Sequence, residues 1–170
     1  MKSKKNLVLL GMMGSGKSTI GLIISRKLNL KFIDIDKSIE KKAKMTVKEI
    51  FKKSGEKIFR NMEEKITLKA LTFSNTIISL GGGGFINDII RNKIITENLS
   101  FWLNCDVFEL LKRLKANSKR PLASDVSDDE LIEMINKRSK VYSKAKFKIN
   151  CQNKTKLEIA KKIINIYENN

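Results

Sequence analysis

A glycine-rich segment near the start of the chain carries the strongest chemical signal. Residues 11–18 read Gly-Met-Met-Gly-Ser-Gly-Lys-Ser and match the phosphate-loop pattern G-x-x-x-x-G-K-[ST]. Glycines allow a loop to wrap its amides around an anion, and the N-terminus of a following helix adds a positive dipole. The pattern predicts that Lys17 reaches the β- and γ-phosphates of a nucleotide and that Ser18 binds Mg²⁺.

Two carboxylates follow the second predicted strand. Asp34 and Asp36 flank Ile35, and on an extended segment residues two apart point to the same side. One carboxylate could hold the hydration shell of Mg²⁺ while the other accepts a proton from an attacking hydroxyl. The alternative is that Asp36 caps the next helix.

Two arginines lie on predicted helices. Arg60 could form a surface ion pair with Glu56 or Glu64, each four residues away. Arg138 could bind a carboxylate with both of its guanidinium donors, or it could lie on an exposed helix face.

Two further segments are typical of loops around a ligand. Residues 81–84 are four glycines directly after a predicted strand, where they favour close approach of backbone to a ligand over a linker. Arg120 lies beside Pro121 in a long polar loop, and an arginine there could stabilise charge on a transferring phosphate or could be a solvated charge.

Apolar segments that predict strands alternate with stretches of helical periodicity along the whole chain. This alternation predicts an α/β fold with a five-stranded parallel sheet and helices on both faces, whose ligands lie beyond the carboxyl ends of the strands. The predicted strands are residues 6–10, 31–35, 76–80, 99–103 and 147–151, and the predicted helices are residues 17–28, 38–43, 46–53, 56–71, 89–95, 107–114, 129–145 and 157–167.

The composition excludes several classes of function. The 170 residues contain no histidine and two cysteines, so zinc sites, histidine catalysis and a secreted disulfide scaffold are not expected. No apolar run is long enough to span a bilayer and no secretion signal is visible, so a cytoplasmic protein without a membrane partner is expected. The net charge of +17 could indicate nucleic-acid binding. The lysines are scattered and aromatic residues are few, so we expect no nucleic-acid partner; the same charge would attract anionic substrates.

The ordered set of motifs resembles that of the shikimate kinase family from about Asn6 to Cys151. After the phosphate loop and D-x-D come Phe-Arg-Asn-Met-Glu at residues 59–63, Gly-Gly-Gly at 81–83, Arg-Pro-Leu at 120–122 and Arg-Ser-Lys-Val-Tyr at 138–142. The resemblance implies a P-loop fold similar to nucleoside-monophosphate kinases. It also implies transfer of the γ-phosphoryl group of ATP to the 3-OH of shikimate, with Mg²⁺, in aromatic amino-acid biosynthesis.

The resemblance also implies a role for each site residue. It implies that the chain is a monomer and a single domain, with a substrate-binding helical segment at about 36–62 and a lid loop at about 115–127. The implied roles are ATP phosphate binding by Gly14, Ser15, Gly16, Lys17, Ser18 and Thr19, metal binding by Ser18 and (through water) Asp34, acceptor binding and base catalysis by Asp36, carboxylate binding by Arg60 and Arg138, backbone packing on the acceptor by Gly82, and contact of Arg120 with ATP and the transferring phosphate.

The sequence departs from the family pattern at two places. Residues 150–156 lack the proline that family members often place beside adenine, and Lys154 is the nearest basic candidate there. Gly84 extends the glycine motif. Two alternatives remain open: a gluconate-type or nucleoside-monophosphate kinase, and a P-loop ATPase that acts with nucleic acid.

Overall fold

Five parallel strands form one sheet. The computed structural model describes residues 5–115 and 127–170. Its strands are β1 (Leu7–Leu10), β2 (Lys31–Asp34), β3 (Thr76–Ser79), β4 (Leu99–Asn104) and β5 (Phe147–Asn150), and they lie in the order β2-β3-β1-β4-β5. The predicted parallel sheet is confirmed. Every residue of β1 and β3 is buried, and since alternate residues point to opposite faces, both faces of the sheet centre are covered.

Seven helices surround the sheet in the described part of the chain. They are α1 (Lys17–Leu28), α2 (Ile35–Ala43), α3 (Val47–Leu71), α4 (Asp88–Glu97), α5 (Val107–Lys115), α6 (Asp128–Tyr142) and α7 (Lys156–Glu168), with a short 3-10 helix at Gly84–Ile86. The backbone of α3 breaks at Gly55, whose φ is 79°. This break separates the two helices that the sequence predicts at 46–53 and 56–71. No helix in residues 5–115 or 127–170 is long and apolar enough to cross a membrane.

The end of β2 differs from the prediction. Ile35 was expected to end the strand, but it begins α2. The carboxylate of Asp34 accepts the backbone N–H of Lys37 at 3.2 Å and so caps the helix. Asp34 and Asp36 therefore do not share one face of an extended segment, and the residue that caps α2 is Asp34 instead of Asp36.

A buried asparagine fixes the position of β3 beside β1. The side chain of Asn6 accepts the backbone N–H of Thr76 at 3.0 Å and donates to the carbonyl of Phe73 at 2.7 Å. These bonds satisfy polar backbone groups that the turn before β3 would otherwise leave buried. The register of β3 determines where the glycines after it lie.

Candidate active site

The phosphate loop joins the buried end of β1 to α1. Gly14 and Gly16 have φ of 82° and 92°, a left-handed conformation that glycine adopts at little cost. The side chain of Lys17 is buried, and its Nζ donates to the carbonyls of Gly11 at 2.8 Å and Met12 at 2.9 Å. The predicted context of strand, glycine loop and helix is confirmed, and a lysine is held against the loop that would receive the phosphates.

Two oxygen ligands meet at the start of α1. The Ser18 hydroxyl donates to Asp34 Oδ2 at 2.5 Å. A hydroxyl and a carboxylate are the hard oxygen ligands that Mg²⁺ takes, so the residues present fit this metal. Within the described residues, no group of three or more His, Cys, Asp or Glu side chains could hold a metal ion. Mg²⁺ in phosphotransferases commonly completes its ligands with phosphate oxygens and water.

The glycines after β3 leave room for site side chains. A Cβ on Gly81 would lie 2.5 Å from Asp36 Oδ1 and 2.6 Å from Glu63 Oε1. A Cβ on Gly82 would lie 3.3 Å from Arg138 Nη1, and one on Gly83 would overlap the guanidinium of Arg60. Three consecutive glycines thus bring the predicted carboxylate and both predicted arginines against one short stretch of backbone.

Arg60 is fixed by two acidic neighbours on its own helix. Its Nη1 lies 2.7 Å from Glu63 Oε2, and its Nη2 lies 3.1 Å from Glu56 Oε1. Burial alone would lower the pKa of Arg60, but the charge of Glu63 and the hydrogen bonds to Glu63 and Glu56 raise it. The expected pair with Glu56 is present, whereas Glu64 accepts a hydrogen bond from Asn87 instead of pairing with Arg60.

The carboxylate of Glu63 is buried behind Arg60. Only 2% of its side chain is exposed, and its Oε1 finds no hydrogen-bond partner among the described residues. A buried polar atom without a partner is costly. Glu63 is the fifth residue of the Phe-Arg-Asn-Met-Glu motif, but its sequence position alone indicated no role.

Arg138 is held at the carboxyl end of β1 without a carboxylate. It takes part in none of the ion pairs formed by residues 5–115 and 127–170, and its Nη1 lies 4.0 Å from the sulfur of Met12. One turn later, Tyr142 donates its hydroxyl to the carbonyl of Gly82. Burial raises the pKa of Tyr142 to about 12, against the charge of Arg138, so the phenol remains a donor at neutral pH.

A cleft of about 400 Å³ lies at the phosphate loop. Its lining includes Gly82, Asp36, Arg113 and Lys156, whereas Arg60 and Arg138 are not among the lining residues. Arg113 donates to the carbonyl of Gly14 at 3.2 Å. The complete lining is Met13, Gly14, Gly16, Lys17, Ser18, Thr19, Asp34, Asp36, Ser79, Leu80, Gly82, Arg113, Leu114 and Lys156.

Most of the predicted site residues lie around this cleft. Arg113 and Lys156 were missed, because an isolated cation on a helix gives no signal in the sequence. Lys156 lines the cleft. Lys154, the nearest basic candidate beside adenine in the sequence, donates its Nζ to the carbonyl of Asn150 at 3.4 Å. Arg120 and nearly all of the predicted lid at 115–127 lie outside the described residues.

The fold and the cleft define a class of protein. A phosphate loop at the end of the middle strand of a five-stranded parallel sheet, with a lysine and a Ser–Asp pair beside it, is the arrangement of a P-loop phosphotransferase. The family model for shikimate kinase matches residues 13–168. The chain belongs to the shikimate kinase family.

Individual relatives agree with this assignment. The chain is 38% identical to the shikimate kinase of Bartonella quintana over 167 residues, which is 98% of this chain and 80% of the relative. It is 36% identical to that of Thermodesulfovibrio yellowstonii, over 96% and 95% of the two chains. A solved structure of shikimate kinase from Acinetobacter baumannii in complex with shikimate superposes with a TM-score of 0.91 at 27% identity, over 98% and 94% of the two chains.

Other P-loop kinases share only the fold. A gluconokinase from Sinorhizobium meliloti superposes with a TM-score of 0.59 at 13% identity, over 99% of this chain and 94% of its own. This likeness shows a common architecture and carries no information on the acceptor.

Proposed function

We propose that this chain transfers the γ-phosphoryl group of ATP to the 3-OH of shikimate, giving shikimate 3-phosphate and ADP. The observation that carries the proposal is the convergence of Asp36, Arg138 and Arg60 on the glycines 81–83 beside the phosphate loop. A carboxylate for a hydroxyl and arginines for a carboxylate match a polyhydroxy acid. The complex of the Acinetobacter baumannii relative with shikimate supports the same acceptor.

The acceptor carboxylate would bind between the two arginines. Arg138 takes part in none of the ion pairs formed by the described residues. Its Nη1 lies 4.0 Å from the sulfur of Met12, a weak acceptor that a ligand carboxylate would replace. Arg60 is already paired with Glu56 and Glu63, and its planar group is therefore held in a fixed orientation. Gly82 lines the cleft, where its lack of a side chain lets the acceptor ring approach the backbone.

The chemistry would be an in-line displacement. The acceptor oxygen forms a bond to the γ-phosphorus, the bond from that phosphorus to the β–γ bridging oxygen breaks, and the hydroxyl proton passes to the carboxylate of Asp36. Lys17 would leave the carbonyls of Gly11 and Met12 to neutralise charge on the phosphates. Ser18 directly, and Asp34 through water, would hold Mg²⁺, which when bound neutralises negative charge on the β- and γ-phosphates.

The proposed role of Arg120 is contact with the transferring phosphate, and this role rests on the Arg-Pro-Leu motif alone. The change Arg120→Ala should reduce turnover more than it reduces ATP binding, because such a contact is strongest in the transition state. Equal losses in kcat and in ATP affinity would assign Arg120 a ground-state role.

The acceptor is tested by coupled ADP release. Purified protein with ATP and Mg²⁺ is given shikimate, gluconate, a nucleoside monophosphate or single-stranded DNA in parallel. Shikimate should stimulate ADP release and yield shikimate 3-phosphate, whereas the other additions should leave slow hydrolysis unchanged. Stimulation by gluconate or a nucleoside monophosphate would show that the acceptor is not shikimate. Stimulation by DNA would show that the protein is a nucleic-acid-dependent ATPase instead of a kinase.

A further inference from the structure

The two cysteines of the chain are 46 positions apart in sequence but adjacent in the fold. Cys105 follows the last residue of β4 and Cys151 follows the last residue of β5; Asn104 and Asn150 are partners in the parallel register. The backbone N–H of Cys151 donates to the carbonyl of Asn104 at 3.0 Å, so the pairing continues to the cysteines. Neighbouring strands lie about 4.8 Å apart, which is within the Cα separation that a disulfide spans.

Both thiols are buried at neighbouring positions of the sheet. Both cysteines are free thiols in the structure, with exposed fractions of 8% for Cys105 and 3% for Cys151. The S–H of Cys151 donates to the carbonyl of Ile149 at 3.5 Å. Two thiols that follow registered residues of adjacent strands need little backbone movement to form a bond.

One of the thiols also supports the phosphate loop. The sulfur of Cys105 lies 3.8 Å from the backbone carbonyl of Ser15, to which it donates. The hydroxyl of Ser15 is buried and finds no partner in the described residues. The Cys105 thiol therefore provides a polar contact to the backbone of Ser15, whose own hydroxyl makes none among the described residues.

We propose that Cys105 and Cys151 are a reversible oxidation site, whose disulfide removes the thiol contact to Ser15 and weakens nucleotide binding. The bond draws the sulfur of Cys105 toward Cys151 and abolishes its S–H donor. The Ser15 carbonyl then loses this partner, and the phosphate loop loses a contact that helps to shape it for an anion. The proposal rests on nucleotide binding by the loop but is independent of which acceptor the enzyme uses.

The charges around the pair favour reaction at Cys105. Its pKa is lowered, chiefly by the neighbouring side chain of Cys151 and also by the charges of Arg113 and Lys17, against burial and Glu109. The side chain of Cys105 and burial raise the pKa of Cys151. Cys105 is therefore the sulfur that attacks and Cys151 the one that resolves.

The oxidant is a peroxide. The Cys105 thiolate attacks one oxygen of hydrogen peroxide, which forms an S–O bond, breaks the O–O bond and releases hydroxide. The sulfur of Cys151 then attacks the sulfenic sulfur; the S–S bond forms, the S–O bond breaks, and the departing oxygen leaves as water with the proton of Cys151. The hydroxide takes up the proton that the Cys105 thiol lost, so one peroxide is reduced to two waters and the two thiols lose two electrons, which a dithiol such as dithiothreitol returns.

The test combines peptide mapping with titration calorimetry of Mg·ADP. The folded chain is treated with hydrogen peroxide and digested without reductant, and a Cys105–Cys151 peptide pair should appear. The Kd for Mg·ADP should rise roughly fivefold, the effect of one lost hydrogen bond, and dithiothreitol should restore it. Absence of the cross-linked peptides, or a cross-link with unchanged Kd, would overturn the proposal.

The matched control is Cys151→Ser, which keeps Cys105 and its contact to Ser15. In this variant peroxide can carry Cys105 only to a sulfenic acid, which keeps an O–H donor near Ser15, so the Kd for Mg·ADP should rise less than in the unchanged chain. An equal rise in the variant would show that oxidation of Cys105 alone, and not the disulfide, weakens binding. If the variant does not fold, mapping and titration of the unchanged chain still decide the question. Failure of the reduced chain to bind Mg·ADP would instead count against the proposed function.

Discussion

Arg60 and Arg138 bear the same charge but differ in the side chains that they contact. Arg60 neutralises the buried carboxylate of Glu63 in addition to facing the glycines. Arg138 has no such structural partner in the described residues and lies against Gly82 and Met12. Removing Arg60 therefore affects folding and binding together, whereas removing Arg138 affects binding.

This difference gives a prediction at the scale of single residues. Arg138→Ala should raise the Kd for shikimate about 10–100-fold, the loss expected for charge-assisted hydrogen bonds, with little change in melting temperature. Arg60→Ala should weaken shikimate binding and also lower the melting temperature by roughly 4–8 °C, since about 2 kcal/mol is lost when a buried carboxylate loses its partner.

Calorimetric titration with shikimate and thermal denaturation measure the two effects. Lys137→Ala, which removes an exposed lysine paired with Glu133, is the control and should change neither. A large loss of stability in Arg138→Ala would show that this arginine has a structural role.

Lys17 gives a second prediction. Lys17→Ala should lower kcat by on the order of 10²-fold or more, because the ammonium group contacts charge that develops on the phosphates. Steady-state ADP release measures kcat, and Lys27→Ala, an exposed lysine in the last turn of α1, should retain full activity. Near-normal phosphoryl transfer by Lys17→Ala would contradict the phosphate-loop assignment.

At the scale of elements, the glycine segment 81–84 has unequal members. Gly81 lies against the carboxylates of Asp36 and Glu63, where a Cβ would be 2.5–2.6 Å away. Gly84 begins the 3-10 helix, and a Cβ there would meet Glu63 Oε1 at 3.5 Å and Leu80 at 3.6 Å, which are ordinary contacts. Gly84, the fourth glycine, extends the family motif, and a side chain at this position would fit without a clash.

Paired alanine substitutions test this difference. Gly81→Ala should displace Asp36 and lower kcat/KM for shikimate by on the order of 10²-fold, the usual effect of moving a catalytic group by about 1 Å. Gly84→Ala should remain close to normal in both activity and melting temperature. Steady-state kinetics with varied shikimate measures the effect. Equal losses in the two variants would show that chain flexibility, and not space for Asp36, explains the glycines.

The sequence predicts elements well where a local pattern determines them. Strand positions and the parallel sheet follow from the alternation of apolar segments with stretches of helical periodicity. The start of α2 was missed because both Asp34 and Asp36 can cap a helix, and the choice depends on which carboxylate reaches a free N–H.

The parts of the site that could not be predicted depend on contacts distant in sequence. The proximity of Cys105 and Cys151 follows from the order of β4 and β5 in the sheet, which no local pattern contains. The choice of Glu63 over Glu64 as the partner of Arg60 depends on which side of α3 faces the core. Lys156 is the first residue of α7 and Arg113 lies within α5. Both residues line the cleft because these helices come close to the phosphate loop in the fold.

At the scale of the whole molecule, charge is the dominant feature. The net charge of +17 comes from 35 basic and 18 acidic residues, and both proposed substrates are anions. A surplus of this size raises the local concentration of anionic ligands and also destabilises the compact state by self-repulsion. Added salt should therefore weaken the binding of the anionic substrates and increase the stability of the fold.

Raising KCl from about 0.05 M to about 0.5 M shortens the range of electrostatic interactions to a few ångströms. The KM for ATP and for shikimate should rise several-fold, because attraction of the substrates is screened, while kcat at saturation should change little. The melting temperature should increase by a few degrees over the same range, because repulsion among the surplus lysines is screened as well. Steady-state kinetics and thermal denaturation in the same buffers measure the two responses. A KM that stays constant while the melting temperature rises would mean that the lysine surplus repels itself without directing substrates to the cleft. The charge would then reflect composition alone.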